Sequence, residues 1–461
     1  MKMKKAIIVI LVLVIACASL VTLAACNKGD GKLHISFYHT MGADLSNVLN
    51  EYIAEFEELY PQYKIDSKQV GSYDDVRNQI SSEIMVGGQP NIAYCYPDHV
   101  ALYNIAGAVQ TLDDFINSTE TVERADGTTE VLGLTQAQKD DFIEGYYNEG
   151  KQFGDGKMYS MPFSKSTEVL YYNKTFFEAN NIQVPRTWDE MEAVCARIKE
   201  INKKIIPLGY DSEANWFITM CEQYGSPYTT ATPEQPKQHF LFDNDTNKAF
   251  VKKFIEWRNK AYVTTQEING GYTSDLFKKG AVDGGAVMCI GSSAGAKHQI
   301  PDTVNDKYPF EAGIARIPQV DPSNPKVISQ GPSVCIFKKA NAEEVKASWL
   351  FVKFLTTNAH FQADFSIASG YVPVIKSAAE DETYANEMKE ANGFGNLPML
   401  SAQVCIQQEE AYYASPAFYG SSKARDEVGL LLQTLLVGGK ADDATVNAAF
   451  ALAVQNCLQS L

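Results

Sequence analysis

The chain has 461 residues, about three times the commonest domain size, which excludes a single small module and predicts two or three compact units. At 45% hydrophobic, 11% aromatic and 21% charged residues, it carries far too much core-forming surface for a disordered polymer. Its formal charge of -16, with no stripe of basic residues interleaved with aromatics, argues against nucleic acid as a partner.

Read in chain order, the N-terminus comes first. Lys2, Lys4 and Lys5 precede the apolar run Ala6 to Ala16, and the small residues Ala24 and Ala25 stand before Cys26. That order is a secretory signal. Its ending, Leu23-Ala24-Ala25-Cys26, resembles a bacterial lipobox, which implies cleavage after residue 25, lipidation of Cys26 and retention on the extracytoplasmic face of the membrane. The competing reading is an uncleaved helix, since about twenty residues from Ala6 to Ala25 suffice to span a bilayer. Losing three lysines takes the remaining chain to -19. Residues 26–32 are polar and Gly-rich, a tether.

Leu33, Ile35 and Phe37 alternate with polar residues as a strand, and Leu45 to Leu59 repeats apolar residues at helical spacing until Pro61. Tyr63 to Asp66 and Ile92 to Tyr96 read as further strands, with the loop at Tyr38 to Asp44 at a strand's carboxyl end. Alternating β and α elements predict a largely parallel sheet with helices on both faces and ligands held beyond the strand ends. A second such unit begins near Met161, where Val169 to Tyr172 is strand-like. Thr187 and Glu190 form a capping-box pattern ahead of a helix, and Asn341 to Glu344 repeats it. Cys17 goes with the signal. The other seven cysteines beyond Cys26 form no C-x-x-C or zinc-like spacing and mostly sit in apolar runs, as buried thiols do.

Gly156 to Phe163, Val169 to Lys174, Pro185 to Glu190 and Gly370-Tyr371-Val372-Pro373 together resemble the family 1 extracellular solute-binding proteins of ABC importers. The likeness runs from about Leu33 to the last helix. It implies an α/β, two-lobed periplasmic-binding-protein-like (type II) fold with the ligand cleft between lobes: lobe 1 from 33–165 and 314–365, lobe 2 from 166–313 and 366–461. It also implies a monomer that works with separate ABC permease subunits, uses no cofactor or metal and makes no bond.

Within that family the chain is most similar to the sn-glycerol-3-phosphate and glycerophosphodiester binding components. Matched position by position, Tyr73, Ser166, Ser293 or Ser292, Gly331, Tyr371 and Arg425 correspond to ligand contacts, with Tyr38 in a further cleft loop. Two departures stand out. Pro97-Asp98 replaces a Glu, and Lys165 replaces the first Ser of an S-S-T run. The implied solute is glycerol 3-phosphate, a glycerophosphodiester, or a neutral mono- or oligosaccharide.

The chemistry of these side chains agrees with that implication. A guanidinium such as Arg425 offers two parallel N–H donors to a phosphate, although the same residue could instead pair with Asp426 or Glu427 on a helix surface. Ser292, Ser293 and Gly295 follow an apolar strand and would turn hydroxyls and backbone N–H groups toward an anion if they open a helix. Tyr73, Trp216 and Tyr371 supply rings for carbon faces or for a core, and Asp98 accepts from hydroxyls. Gly291-Ser292-Ser293-Ala294-Gly295 also fits G-x-S-x-G, so a secreted serine hydrolase is the rival, with Ser293 as nucleophile, His360 as base and Asp321 or Asp364 as acid. For a binding protein the mechanism is hinge closure, driven by contacts that both lobes make only in the shut form.

Overall fold

The computed structural model describes residues 30–235 and 238–461. The expected signal segment and Cys26 lie outside them. Two five-stranded sheets organise the chain. The first is ordered β2-β1-β3-β10-β4, from β1 (Leu33–His39), β2 (Tyr63–Gln69), β3 (Ile92–Cys95), β4 (Met161–Pro162) and β10 (Ser333–Ile336). The second is ordered β9-β5-β8-β6-β7, from β5 (Glu168–Asn173), β6 (Ile206–Tyr210), β7 (Val263–Thr265), β8 (Ala286–Ser292) and β9 (Ala312–Ala315).

Local sequence explains these elements. In β1 the side chains of Ile35, Phe37 and His39 are buried while those between them are not, the two-residue period of a strand with one covered face. The helix Ala43–Leu59 buries Leu49, Tyr52, Ile53 and Phe56, spaced along one helical stripe. It packs its aromatic edge on the first sheet's core, where Phe56 meets Phe351 at 5.0 Å and Phe37 meets Phe163 at 6.4 Å. The second sheet has its own core around Trp216, which stacks on Phe254 at 3.9 Å and on Tyr210 at 4.9 Å.

The sheets are mixed rather than largely parallel. β1 pairs in parallel with β2 and β3, and β6 with β7 and β8, but β10 runs antiparallel to β3 and β4, and β5 antiparallel to β8 and β9. The physical reason is connectivity: β5 and β10 are the first strands after the chain has crossed from the other sheet, and they enter from the opposite end. The expected segment boundaries also move. β9 keeps its register with β5 through Ala315, so the return to the first sheet comes after that residue rather than at 314. The helix Ala359–Ser369 runs unbroken against Ala43–Leu59, so the last crossing falls after Ser369 rather than at 366.

The three crossing segments lie side by side. Lys165 and Val372 exchange backbone hydrogen bonds, and so do Ser166 and Gln330. Only glycine fits at 331, where φ is +91° and a Cβ would stand 2.5 Å from the Ser164 carbonyl oxygen. The ammonium of Lys165, fully buried, donates to Glu149, to the Gly331 carbonyl and to the Ser333 hydroxyl. At the Thr187 cap, the hydroxyl accepts from the Glu190 N–H, but the Glu190 carboxylate turns one residue further back, to the Arg186 N–H at 2.7 Å, so the reciprocal box is incomplete. All seven cysteines of the described residues are buried and unpaired, and no helix there is long and apolar enough to cross a membrane.

Candidate functional site

A cavity of about 300 Å³ opens between the two sheets' halves. One wall comes from the carboxyl ends of the first sheet. Ser72 closes a full capping box with Asp75, which starts the helix Tyr73–Ile84 and sets Tyr73 on the wall. β3 runs into Tyr96, and Pro97 begins the helix Pro97–Ile105, with Asp98 in its first turn where an anion is favoured. The floor is the crossing segment Ser329-Gln330-Gly331 with Glu149. The opposite wall is the helix Ser421–Gly438, entered through left-handed Gly420 (φ +102°), which presents Ser422, Arg425 and Asp426 to the cavity. Tyr228 and Ser415 complete that side.

Four predicted residues line this space: Tyr73, Asp98, Gly331 and Arg425. Tyr73 and Tyr96 approach to 4.7 Å, while Tyr371 is half-buried and does not line the cavity. Ser166 lies one layer deeper, its backbone paired with Gln330. Arg425 makes no helix-surface ion pair: its Nη2 donates to Asn215 Oδ1, while Glu427 takes Lys423 instead. The buried Glu168 carboxylate accepts from the Tyr210 hydroxyl at 2.7 Å.

Four others are elsewhere. The Tyr38 ring lies under Lys68 at 4.6 Å and its hydroxyl points to Glu83, because at its place in β1 the side chain turns away from the cleft. Trp216 is wholly buried in the second core. Ser292 is spent as a cap, accepting from the Ala294 N–H. Ser293 is sealed: its Oγ accepts from the Thr167 N–H at 3.1 Å and its own N–H donates to the Thr167 carbonyl at 2.7 Å. The segment after β8 is a short 3-10 turn, Ser293–Gln299, so it offers no anion-binding helix start. The elbow fails on the same contacts. The Ser293 hydroxyl has no exposure, and His360 is an exposed residue on the far helix, paired with Asp381 at 2.6 Å.

Several wall residues were not predicted. Tyr96 ends an apolar strand, which the strand-end rule could have flagged. Glu149, Tyr228, Ser415 and Ser422 sit far apart in sequence with no local signature. Three of the wall's polar atoms are buried without a partner: His99 Nδ1, the Tyr228 hydroxyl and the Ser415 hydroxyl. Such atoms cost free energy unless a ligand or water satisfies them. Burial presses the Asp98 carboxyl up, but His99, the Ser422 hydroxyl and Arg425 outweigh it and hold the group below the usual carboxylate range. Burial drives His99 the other way, toward its neutral form. Asp74 and Arg77 pair at 3.1 Å.

Two α/β halves joined by three adjacent crossings, with a polar cavity between them, are the two-lobed type II architecture of a solute receptor. The chain belongs to the bacterial extracellular solute-binding proteins, whose family model matches residues 51–391. It is the solute-binding component of an ABC importer and not an enzyme. The sn-glycerol-3-phosphate-binding periplasmic protein UgpB of Brucella melitensis is 24% identical over 387 residues, spanning 81% of this chain and 82% of that one. Its namesake in Escherichia coli K12 is 23% identical over 368 residues, 77% of each. Among solved structures, UgpB from Mycobacterium tuberculosis in complex with glycerophosphocholine superposes with a TM-score of 0.71 at 18% identity, covering 94% of this chain and 98% of that one. The sugar-binding protein MalE from Xanthomonas citri gives 0.72 at 17%, covering 93% and 98%. At these identities the structures speak for the fold.

Proposed function

We propose that the cleft captures a polyol bearing a single phosphodiester charge, a glycerophosphodiester in preference to glycerol 3-phosphate, and hands it to the permease when the lobes shut. The observation that carries this reading is the charge balance of the wall. Asp74, Asp98, Asp426 and Glu149 face Arg77 and Arg425. Arg77 is taken by Asp74, and Lys165 neutralises Glu149 from behind. Arg425 is therefore the one wall cation with no carboxylate in ion-pair contact among the described residues. A guanidinium beside an unmatched carboxylate tolerates a monoanion better than a dianion. The orphaned donors and acceptors of His99, Tyr228 and Ser415 suit glycerol hydroxyls, and Tyr73 and Tyr96 cover the carbon face. The relatives named for sn-glycerol 3-phosphate and the glycerophosphocholine complex support the same class.

A micromolar solute brings about 8 kcal/mol of net affinity. Only the part gained on closure shifts the hinge. The working unit in this reading is a monomer anchored through Cys26, lobe 1 built on the first sheet and lobe 2 on the second.

A second reading, a neutral oligosaccharide, draws on the same paired tyrosines beside Asp98, an arrangement that also suits a sugar ring. Thermal shift and calorimetry with glycerophosphocholine, glycerol 3-phosphate and maltotriose separate the two. The expected order of stabilisation is diester, then monoester, with Arg425→Gln abolishing both; stabilisation by maltotriose alone would replace this reading with the sugar one.

A further inference from the structure

The three crossing segments form a ladder with two outer edges. Ser166 pairs with Gln330 and Lys165 with Val372, so the segment through Gly331 and the segment through Val372 stand on opposite sides of the middle one. The cleft lies against the first. A second cavity, of about 170 Å³, lies against the other and is lined there by Val372, Pro373 and Ile375. Its remaining walls come from both lobes. Tyr146 reaches it from the helix Glu144–Glu149, whose start is tied to the first core by the Ile143 N–H donating to the Val374 carbonyl. Cys405 reaches it from the helix Leu397–Gln407, which packs on β5 and β9 of the second sheet. The lining is nearly all apolar, and its other polar groups are already engaged: the Tyr412 hydroxyl donates to the Cys405 carbonyl at 2.7 Å and the Lys376 ammonium to the Asp140 carbonyl at 2.8 Å. Tyr384, on the helix Glu382–Lys389 and 1% exposed, lines the same space with a hydroxyl that has no partner among the described residues.

We propose that this cavity is a second ligand site, behind the hinge, for a compact apolar ring bearing one hydrogen-bond acceptor that the Tyr384 hydroxyl satisfies, and that filling it tightens solute binding in the cleft. An enclosed water needs two to four polar partners, whereas an apolar cavity of about 150 Å³ stays dry and takes a benzene ring. The lone hydroxyl adds the call for an acceptor, since a buried donor without one costs free energy. The ladder fixes the direction of the coupling. The Ser422 hydroxyl meets Asp98 across the cleft mouth, so the cavity as described belongs to the shut form. Turning the lobes about the ladder to open the cleft brings the walls behind it, at Tyr146 and Cys405, together and squeezes the cavity. A molecule lodged there resists opening, and by reciprocity a solute in the cleft tightens the hold on that molecule. This holds whichever solute the cleft takes.

Acetophenone and ethylbenzene, alike in shape but differing in the carbonyl acceptor, are the probes. Ligand-observed NMR titration of the solute-free protein should find acetophenone bound more tightly, by about two- to tenfold, the worth of one neutral hydrogen bond. Tyr384→Phe should keep both bound and erase the preference. Ala379, exposed at the rim in the turn Lys376–Glu380, offers a plug: Ala379→Trp should remove binding of both probes and leave the melting temperature of the apo protein unchanged. In small-angle scattering acetophenone should lower the radius of gyration of the solute-free protein, and at saturation it should tighten glycerophosphocholine by about fivefold or more. No acetophenone binding at millimolar concentration, binding indifferent to Ala379→Trp, or a preference that survives Tyr384→Phe overturns the proposal. So does bound acetophenone that leaves the radius and the glycerophosphocholine affinity where they were, or shifts them toward the open form. Compaction by acetophenone in a protein that never binds glycerophosphocholine keeps this site and overturns the phosphodiester reading instead.

Discussion

The Ser422 hydroxyl, on the helix Ser421–Gly438 packed against the second core, donates to Oδ2 of Asp98, on the helix that follows β3 of the first sheet. One hydrogen bond thus bridges the cavity mouth, and its acceptor is an ionised group.

Removing that bridge is expected to open the protein more than to unfold it. Hydrogen bonds to charged groups contribute about 1.5–3 kcal/mol, and this one exists only when the halves meet. Ser422→Ala should weaken solute binding by roughly ten- to a hundredfold, through faster release. The melting temperature of the ligand-free protein should hardly move. Small-angle scattering should show a larger radius of gyration without solute. An unchanged dissociation rate would mean that the bond does not guard the closed form.

The Lys165–Glu149 pair makes the opposite kind of claim, one about stability. Its side chains are 0% and 4% exposed, and the lysine also serves Gly331 and Ser333. Deleting one partner of a buried pair leaves an uncompensated charge, at a cost of about 3–5 kcal/mol. Lys165→Met should therefore lower stability by that order in urea titration, and Lys165→Met combined with Glu149→Gln should recover much of it. If the single and double variants unfold at the same urea concentration, the ammonium is not compensating Glu149.

The lobes were readable in the sequence because each strand and helix declares itself locally. Leu33 to Phe37 alternates and Leu49 to Phe56 follows a helical stripe, and burial in the structure obeys both patterns. Strand direction was not readable: the antiparallel entry of β5 and β10 depends on where the chain crosses, which no local pattern encodes. The site was legible where a residue sits beside a backbone landmark, as Tyr73 follows its cap and Gly331 its tight crossing. It failed where chemistry was inferred from residue type alone. Trp216 has the ring for a sugar, yet Phe254 and Tyr210 occupy its faces. Ser293 has the motif of a nucleophile, yet Thr167 holds its hydroxyl.

That contact fixes what Ser293→Ala should do. The Thr167 N–H is buried and Ser293 Oγ is its acceptor, so truncation strands a donor at a cost of about 1–3 kcal/mol. Denaturant unfolding should show that loss, with solute affinity within about twofold of the native protein by the additivity expected of distant sites. Hydrolysis of a p-nitrophenyl ester should be at background in both proteins. Ester turnover that disappears with Ser293→Ala would restore the hydrolase.

Glu168 makes stability depend on pH in a direction opposite to most acids. Its carboxyl ionises near 4.5 when exposed and at about 7 when folded, because burial penalises the charge. The folded protein therefore holds this proton more tightly than the unfolded chain does. Its contribution is fully present below pH 4.5 and is lost progressively as pH rises through 7. The whole loss is on the order of 3 kcal/mol. Glutamine has the shape of the protonated acid and no charge to bury. Urea unfolding should accordingly find Glu168→Gln about as stable as the native protein at pH 5 and more stable at pH 8, by an increment of that size or somewhat less. Equal stabilities at both pH values would show that Arg425 and Tyr210 already compensate the buried carboxylate in full, and the ionised form would then be the resting state throughout.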